Sequence, residues 1–250
     1  MSNKAILITG GSRGIGRAAA ILAGRRGWSV AINYVGNAAA AAETAAAVTE
    51  AGGQAIAVRG DVAVEGDVIA MFNAAEAAFG PLDGLVNNAG IVALGQPLAD
   101  MPAERLKRVF DTNVFGAYLC AREAARRFSR SRGGKGGAIV NLSSAAARLG
   151  SPNEYVDYAG SKAAIDTMTI GLSKELGPEG VRVNAIRPGL IDTEIHATSG
   201  SPDRAHRLAG QVPLRRAGTA EEVAQTIVWL LDETTSGYVT GAIIDVTGGR

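Results

Sequence analysis

The sequence predicts a doubly wound α/β fold, one parallel sheet with helices packed on both faces. Three features predict it. Apolar, β-branched runs of strand length alternate with helical windows along the whole chain. The runs are continuous rather than polar/apolar alternations, as expected for strands buried on both faces of a parallel sheet. The first run stops at a cluster of glycines and restarts as a helix, an arrangement that aims backbone N–H groups and a positive dipole end at one point suited to a phosphate.

Taken in order, strands are expected at 5–9, 29–33, 54–59, 82–87, 138–142, 181–186 and 242–246. Helices are expected at 15–26, 38–51, 66–79, 112–130, 156–176 and 220–231. The window from Ala38 to Val48 is mostly alanine, the best helix former, and reads as an ordinary helix. The 250 residues can bury a sizeable core and no long linker divides them, so one domain is expected.

A sheet of this kind places its ligand beyond the carboxyl ends of its strands. Those ends carry Gly60-Asp61-Val62, Asn87-Asn88-Ala89-Gly90, Ser143-Ser144 and Arg187-Pro188-Gly189 after the third to sixth strands. Each has a plain structural use: Asp61 can cap the following helix, and Asn87-Asn88 can form a turn. Together they gather small, amide and hydroxyl residues at one rim. The first strand ends in Thr9-Gly10-Gly11-Ser12-Arg13-Gly14-Ile15-Gly16. There Gly10 would allow the tight turn, Gly14 the close approach of a pyrophosphate, and Gly16 close helix–strand packing.

Composition narrows the function. Lysine and arginine number 25 and aspartate and glutamate 24, for a formal net charge of +1, with both signs interspersed. That balance gives no footprint for nucleic acid or a membrane surface. The basic stretch from Arg122 to Lys135 reads as a helix end with its solvated loop. The one cysteine, Cys120, allows no internal disulfide, lies among apolar residues, and suits a reducing compartment. With two histidines and no cysteine pair, no soft-metal site is expected. No apolar run is long enough to span a bilayer, and Met1-Ser2-Asn3-Lys4 leads straight into the first strand; a soluble cytoplasmic protein is expected.

The chemistry is carried by Tyr158-Ala159-Gly160-Ser161-Lys162, which sets a phenol and an ammonium one helical turn apart. A free phenol titrates near ~10, and a neighbouring cation favours its ionised form. Opposite stands the hydroxyl pair Ser143-Ser144, able to bind the same oxygen that the phenol would protonate.

These residues, with the Thr9–Gly16 loop, Asp61-Val62, Asn87-Asn88-Ala89-Gly90, Asn113 and Pro188-Gly189 with Thr193, resemble the short-chain dehydrogenase/reductase family over essentially the whole chain. The general appearance is that of its 3-oxoacyl-carrier reductase and glucose 1-dehydrogenase-like members. The resemblance implies a Rossmann-type sheet, a nicotinamide cofactor and hydride transfer at a carbonyl or alcohol carbon. It implies Tyr158 as general acid in reduction and base in oxidation, and Lys162 as ribose ligand that depresses the phenol. Ser144 would hold the substrate oxygen, and Asn113 would anchor a proton-relaying water. Gly10, Ser12, Gly14, Ile15 and Gly16 would line the pyrophosphate. Asp61 and Val62 would contact adenine, Asn88, Ala89 and Gly90 the adjoining ribose region, and Pro188, Gly189, Ile191 and Thr193 the nicotinamide end. One departure is visible: the interval from Ser144 to Tyr158 is about one residue longer than the family's usual spacing, within Gly150–Asp157. Ser144 is kept as the catalytic serine with Ser143 as fallback, and Tyr155 lacks a lysine four residues on. A mobile substrate lid is implied within about 190–216, which holds His196, Gly200, Pro202, Gly210 and Pro213.

Cofactor choice follows from charge. A carboxylate ending the second strand would repel a 2′-phosphate and select NAD. Here that segment reads Asn33-Tyr34-Val35-Gly36-Asn37, without an acid, while Arg13 stands in the glycine loop where it can pair with a phosphate. NADP(H) is expected, with Asn33 and Asn37 adding hydrogen bonds and NAD(H) as the lesser possibility. Windows 112–130 and 156–176 carry apolar residues on more than one face, including Val114, Phe115, Tyr118, Met168, Ile170 and Leu172. A homo-oligomer is therefore expected. The resemblance implies a dimer through these helices and a tetramer through the final helix and strand. The substrate is a small carbonyl or alcohol compound, with 3-oxoacyl thioesters and sugars or polyols as the leading classes. A non-catalytic dinucleotide-binding regulator is the remote alternative, which loss of Tyr158 or Lys162 would have favoured.

Overall fold

The computed structural model describes residues 4–193 and 203–250. Its strands are β1 (Ala5–Ile8), β2 (Ser29–Tyr34), β3 (Gln54–Arg59), β4 (Gly84–Asn87), β5 (Gly137–Leu142), β6 (Val181–Pro188), β7 (Ile191–Asp192), β8 (Gly218–Thr219) and β9 (Ile243–Val246). Seven form one all-parallel sheet in the order β3-β2-β1-β4-β5-β6-β9. The order reverses between β1 and β4, and that reversal opens the crevice at the carboxyl edge.

Helices α1 (Gly14–Arg25), α2 (Ala38–Glu50), α3 (Glu65–Phe79), α4 (Ala103–Phe110), α5 (Gly116–Phe128), α6 (Ala146–Leu149), α7 (Val156–Leu176), α8 (Arg204–Leu208), α9 (Ala220–Leu231) and α10 (Glu233–Ser236) complete the chain. The strand pleat explains the continuous apolar runs. Ile6 and Ile8 turn to one face, where they pack with Ala19 and Ala23 of α1, Val48 of α2 and Ile227 of α9. Ala5 and Leu7 turn to the other, against Met71 and Phe72 of α3, Leu119 of α5 and Leu176 of α7. Both faces are buried, so the polar residues these strands do carry, such as Asn33, Asn141 and Asn184, are hydrogen-bonded.

The expected strands are all present with ends within about two residues. Two differences bear on the site. The expected helix 112–130 is broken at its start: Asp111–Phe115 forms one π-helical turn between α4 and α5. Its cause is Asn113, whose side-chain oxygen accepts from Ile91 N (2.8 Å) and whose amide donates to Ile91 O (2.9 Å), pulling the helix onto the loop after β4. Helix α4 itself was not expected. It follows Pro102, and one of its two buried positions is Arg105 rather than an apolar residue, so its period is broken in the sequence. The basic stretch behaves as a solvated helix end: Arg122 pairs with Glu65, Arg127 with Glu76 and Glu123, and Lys135 with Asp83.

Among the described residues no helix is long and apolar enough to cross a membrane, and no cluster of histidine, cysteine and carboxylate side chains could hold a metal. Cys120 is buried in the core, where burial pushes its thiol up to about 12. Of the expected lid, His196, Gly200 and Pro202 lie outside the described residues. The remainder carries α8 and a small apolar cluster of Leu190, Ala205 and Val212.

Candidate active site

The carboxyl ends of β1, β4, β5 and β6 and the first turns of α7 enclose one cleft of about 1100 Å³, its open mouth included. Its lining brings together Ile15, Asn88, Gly90, Ser144, Tyr158, Lys162, Pro188, Gly189, Ile191 and Thr193, residues drawn from five separated parts of the sequence.

The glycine loop is built for close approach. Gly10 and Gly14 have φ of +61° and +53°, in the left-handed region that side chains avoid. A Cβ on Gly16 would stand 2.6 Å from the Asn88 amide and 2.7 Å from Gly10 O. Thr9 fastens the loop to the end of β4, its hydroxyl accepting from both Asn88 N and Ala89 N at 3.0 Å. Asn88 returns the contact by donating from its amide to Thr9 O (2.8 Å) and Gly10 O (3.0 Å). On the outer side Thr44 of α2 donates to Ser12 O (3.2 Å). Arg13 caps α1 in an extended conformation with no side-chain cap bond, and the first turn of α1 holds no acid. Its N-terminal N–H groups are therefore not competed for by a carboxylate, which suits a bound pyrophosphate.

One sequence expectation is corrected at this rim. Asn33 is buried, and its side-chain oxygen accepts from Gly10 N (3.1 Å) while its amide donates to Gly60 O (2.8 Å). It braces the loop from below and does not face a 2′-phosphate. Asn37 caps α2, its side-chain oxygen accepting from Ala40 N (3.0 Å), and this bond leaves its exposed amide N–H groups, the donors a phosphate would need, uncommitted. Asp61 is half-buried just beyond β3, with one carboxylate oxygen accepting from Ala63 N (2.9 Å) in the turn before α3; it does not cap α3, whose N-cap is Val64. Val62 is buried, close enough that a Cβ on Gly116 would meet it at 2.7 Å.

Across the cleft, α7 places Tyr158 and Lys162 on one face. The Lys162 ammonium donates to Leu142 O at 2.7 Å and lies 5.7 Å from the centroid of the phenol ring. Burial lowers its pKa to about 8, against the opposing charge of Asp166, one turn further along and ion-paired with Arg187. Ser144, just beyond β5, lies beside the Tyr158 phenol and favours its ionised form, yet burial outweighs this and holds the phenol above its ordinary value. The expected depression of the phenol by Lys162 is thus not supplied by the chain's own groups. The ammonium is turned onto Leu142 O, and desolvation of the phenolate dominates. Ser143 is spent structurally, its hydroxyl donating to Lys162 O (3.1 Å) within the core. Asn113 is buried in its π-turn and also donates to the Ser161 hydroxyl (3.1 Å), which fixes it beside Lys162 and Gly90.

The reading of the sequence passed over the substrate side of the cleft. Val92, Leu149, Ser151, Tyr155 and Leu190 line it, together with Arg250. The lengthened interval before Tyr158 pointed to Ser151 and Tyr155, and the expected lid region to Leu190; Val92, Leu149 and Arg250 carried no such signal. The extra length is absorbed by left-handed backbone at Gly150 (φ +71°), Ser151 (φ +46°) and Asn153 (φ +62°).

The arrangement of phosphate-suited turn, hydroxyl, phenol and ammonium has counterparts in known proteins. The family model described as Enoyl-(Acyl carrier protein) reductase matches residues 10–250. The chain is 53% identical to the uncharacterized oxidoreductase YgfF of Escherichia coli (strain K12), over 98% of each sequence. It is 38% identical to the L-rhamnose 1-dehydrogenase (NAD(P)(+)) of Sphingomonas sp. (strain SKA58), covering 100% of this chain and 96% of that protein. Among solved structures, a short-chain type dehydrogenase/reductase from Mycobacterium marinum superposes with a TM-score of 0.92 at 34% identity, covering 99% of this chain and 95% of that one. Fold, rim and matches over nearly the full length agree: the chain belongs to the short-chain dehydrogenase/reductase family of nicotinamide-dependent oxidoreductases.

Proposed function

We propose that the protein is an NADP(H)-dependent oxidoreductase acting on a small carbonyl compound or the corresponding secondary alcohol, with Tyr158 as the proton-transferring group. The observation that carries this reading is the Ser144 hydroxyl and the Tyr158 phenol side by side next to a buried ammonium, facing the glycine loop across one cleft. When bound, the nicotinamide supplies the hydride in reduction or accepts it in oxidation. Ser144 orients the substrate oxygen, and Tyr158 protonates it as the carbonyl carbon is reduced, or takes the hydroxyl proton in the reverse direction. Lys162 carries the positive charge that offsets the phenolate left behind and reaches the cofactor ribose. Asn113 holds the loop after β4 against Lys162.

The glycine loop, the uncapped start of α1 and the close approach permitted at Gly16 fit a dinucleotide. Preference for NADP(H) rests on Arg13, which is exposed at the loop and makes no ion pair among the described residues, and on the lack of a carboxylate at the end of β2. Asp61 and Val62 are assigned to adenine, Ala89 and Gly90 to the ribose region, and Pro188, Gly189, Ile191 and Thr193 to the nicotinamide end. The segment around 190–216 is assigned to substrate closure, and the buried cysteine fits a cytoplasmic setting. A sugar or polyol substrate is the second reading, favoured by the L-rhamnose 1-dehydrogenase relative.

Screening the purified protein against aldehydes, ketones, 3-oxoacyl thioesters and sugars by nicotinamide absorbance tests the reading. Oxidoreduction of at least one class with NADPH preferred over NADH is expected. Arg13→Ala should weaken NADPH by about 1–3 kcal/mol, the worth of a hydrogen bond to a charged group, while leaving NADH almost unchanged. Equal losses for the two cofactors would remove Arg13 from the 2′-phosphate.

A further inference from the structure

The lengthened loop before Tyr158 has a fastening that neither hydride transfer nor cofactor binding accounts for. Arg105 of α4 is 7% exposed, and its partner Asp157 of α7 is 1% exposed at the side chain. The guanidinium is bidentate on that carboxylate, Nε to Oδ2 at 2.8 Å and Nη2 to Oδ1 at 3.1 Å. It also donates to Leu94 O and, at 3.5 Å, to Glu154 O. One buried cation therefore joins the loop after β4, the loop before α7 and the first turn of α7, whose second residue is adjacent to Tyr158. The two loops are tied directly as well, Gln96 N donating to Glu154 O at 3.0 Å.

What this joint holds is Tyr155. The residue is 8% exposed and lines the cleft, and a Cβ on Gly95 would touch its ring at 3.5 Å. Its loop backbone is left-handed at two non-glycine residues, Ser151 and Asn153, a conformation that persists only where surrounding contacts impose it. A buried bidentate ion pair is a directional way to impose it, because a guanidinium fork accepts few alternative geometries.

We propose that Arg105 and Asp157 form a positioning clamp, and that the Tyr155 it holds is the wall that limits the size of the carbonyl substrate admitted beside Tyr158. The part concerning substrate size rests on the function proposed above. Arg105 and Asp157 are positioning residues, since neither lines the cleft; Tyr155 is a specificity residue.

Removing one member of a buried ion pair strands a charge and threatens folding, whereas replacing both with apolar residues is often tolerated. The test variant is therefore Arg105→Met with Asp157→Leu, alongside Tyr155→Ala. For each, kcat/KM is measured with NADPH and two ketones, one small and aliphatic, one with a bulky aryl group. Both variants should shift the bulky-to-small ratio towards the bulky ketone by about tenfold or more, the scale on which a pocket wall discriminates. In the combined variant the two shifts should fall short of adding, since both act through one wall. Hydrogen exchange gives a readout independent of turnover: amides of 154–158 should exchange faster in the clamp variant while those of α1 do not change. An unchanged ratio in clamp variants that retain wild-type NADPH affinity, or unchanged exchange at 154–158, overturns the clamp. A wild-type protein that reduces no carbonyl overturns the proposed function instead, and the exchange comparison still decides whether the clamp holds the loop.

Discussion

An ammonium buried beside a phenol destabilises the fold that contains it. Burial lowers Lys162 from an ordinary 10.5 to about 8. Between those values the unfolded chain binds the proton more strongly than the native one, so this group makes stability rise with pH across that window. Below about pH 8 the penalty is present in full, about 3 kcal/mol at 1.4 kcal/mol per unit. Lys162→Met should accordingly raise the unfolding free energy at pH 7 by about 1–3 kcal/mol, allowing for the lost bond to Leu142 O. The gain should shrink as pH approaches 10.5. Urea titrations of both proteins at pH 7 and pH 10 check this, and a variant less stable than wild type at pH 7 contradicts it. The phenol, held above its ordinary value by burial, stays protonated through neutral pH. Reduction should therefore be insensitive to pH between 6 and 8, while oxidation, which needs the phenolate, should accelerate as pH rises; initial rates in both directions across pH 6 to 10 decide it. The residue types of this site were legible in the sequence because a phenol and a lysine one turn apart have a specific chemical use. The direction of the phenol's shift was not, because desolvation depends on what encloses the ring. Asn33 was misjudged for a related reason: an amide at a strand end can face the ligand or brace the loop beneath it, and only packing separates the two.

At the scale of elements, the strand–turn–helix at β1–α1 was legible as a unit, since glycine spacing, a preceding apolar run and a following helix all restrict the same backbone. The structure adds how tightly it is closed. A methyl group at Gly16 would collide with the Asn88 amide at 2.6 Å and Gly10 O at 2.7 Å, the second of which is backbone and cannot swing aside. Gly16→Ala should therefore cost about 1–3 kcal/mol of stability, as overpacking does, and weaken NADPH and NADH alike because the whole loop is displaced. Equal thermal stability with unchanged cofactor affinity would show that the loop yields freely. Helix α4 and the π-turn after it were illegible. The buried cation at Arg105 breaks the apolar period that reveals a helix, and the π-turn is imposed by Asn113 bonding a loop distant in sequence.

At the scale of the molecule, both faces of the sheet are covered, yet α4, the π-turn, α5 and α7 leave Phe110, Phe115, Tyr118, Val156 and Ile170 between 37% and 53% exposed. An apolar surface of that width on two long helices is suited to a second copy of the chain, in line with the oligomer expected from the sequence. Sedimentation velocity at micromolar concentration should show a dimer or tetramer, and Phe115→Asp with Tyr118→Asp should shift it towards monomer; a wild-type monomer contradicts this. The oligomeric order was only partly legible, because a wide apolar face says that something covers it without stating the symmetry. The proposed function depends above all on one phenol set between Ser144, Lys162 and the glycine loop, so the most direct measurement compares Tyr158→Phe with wild type. The variant keeps the ring and loses only the exchangeable proton. Turnover should fall by about 10² to 10⁴, the range for a lost general acid–base group, while NADPH affinity stays near wild type. Turnover near wild type in the phenylalanine variant would contradict the assignment of Tyr158 as the proton-transferring residue.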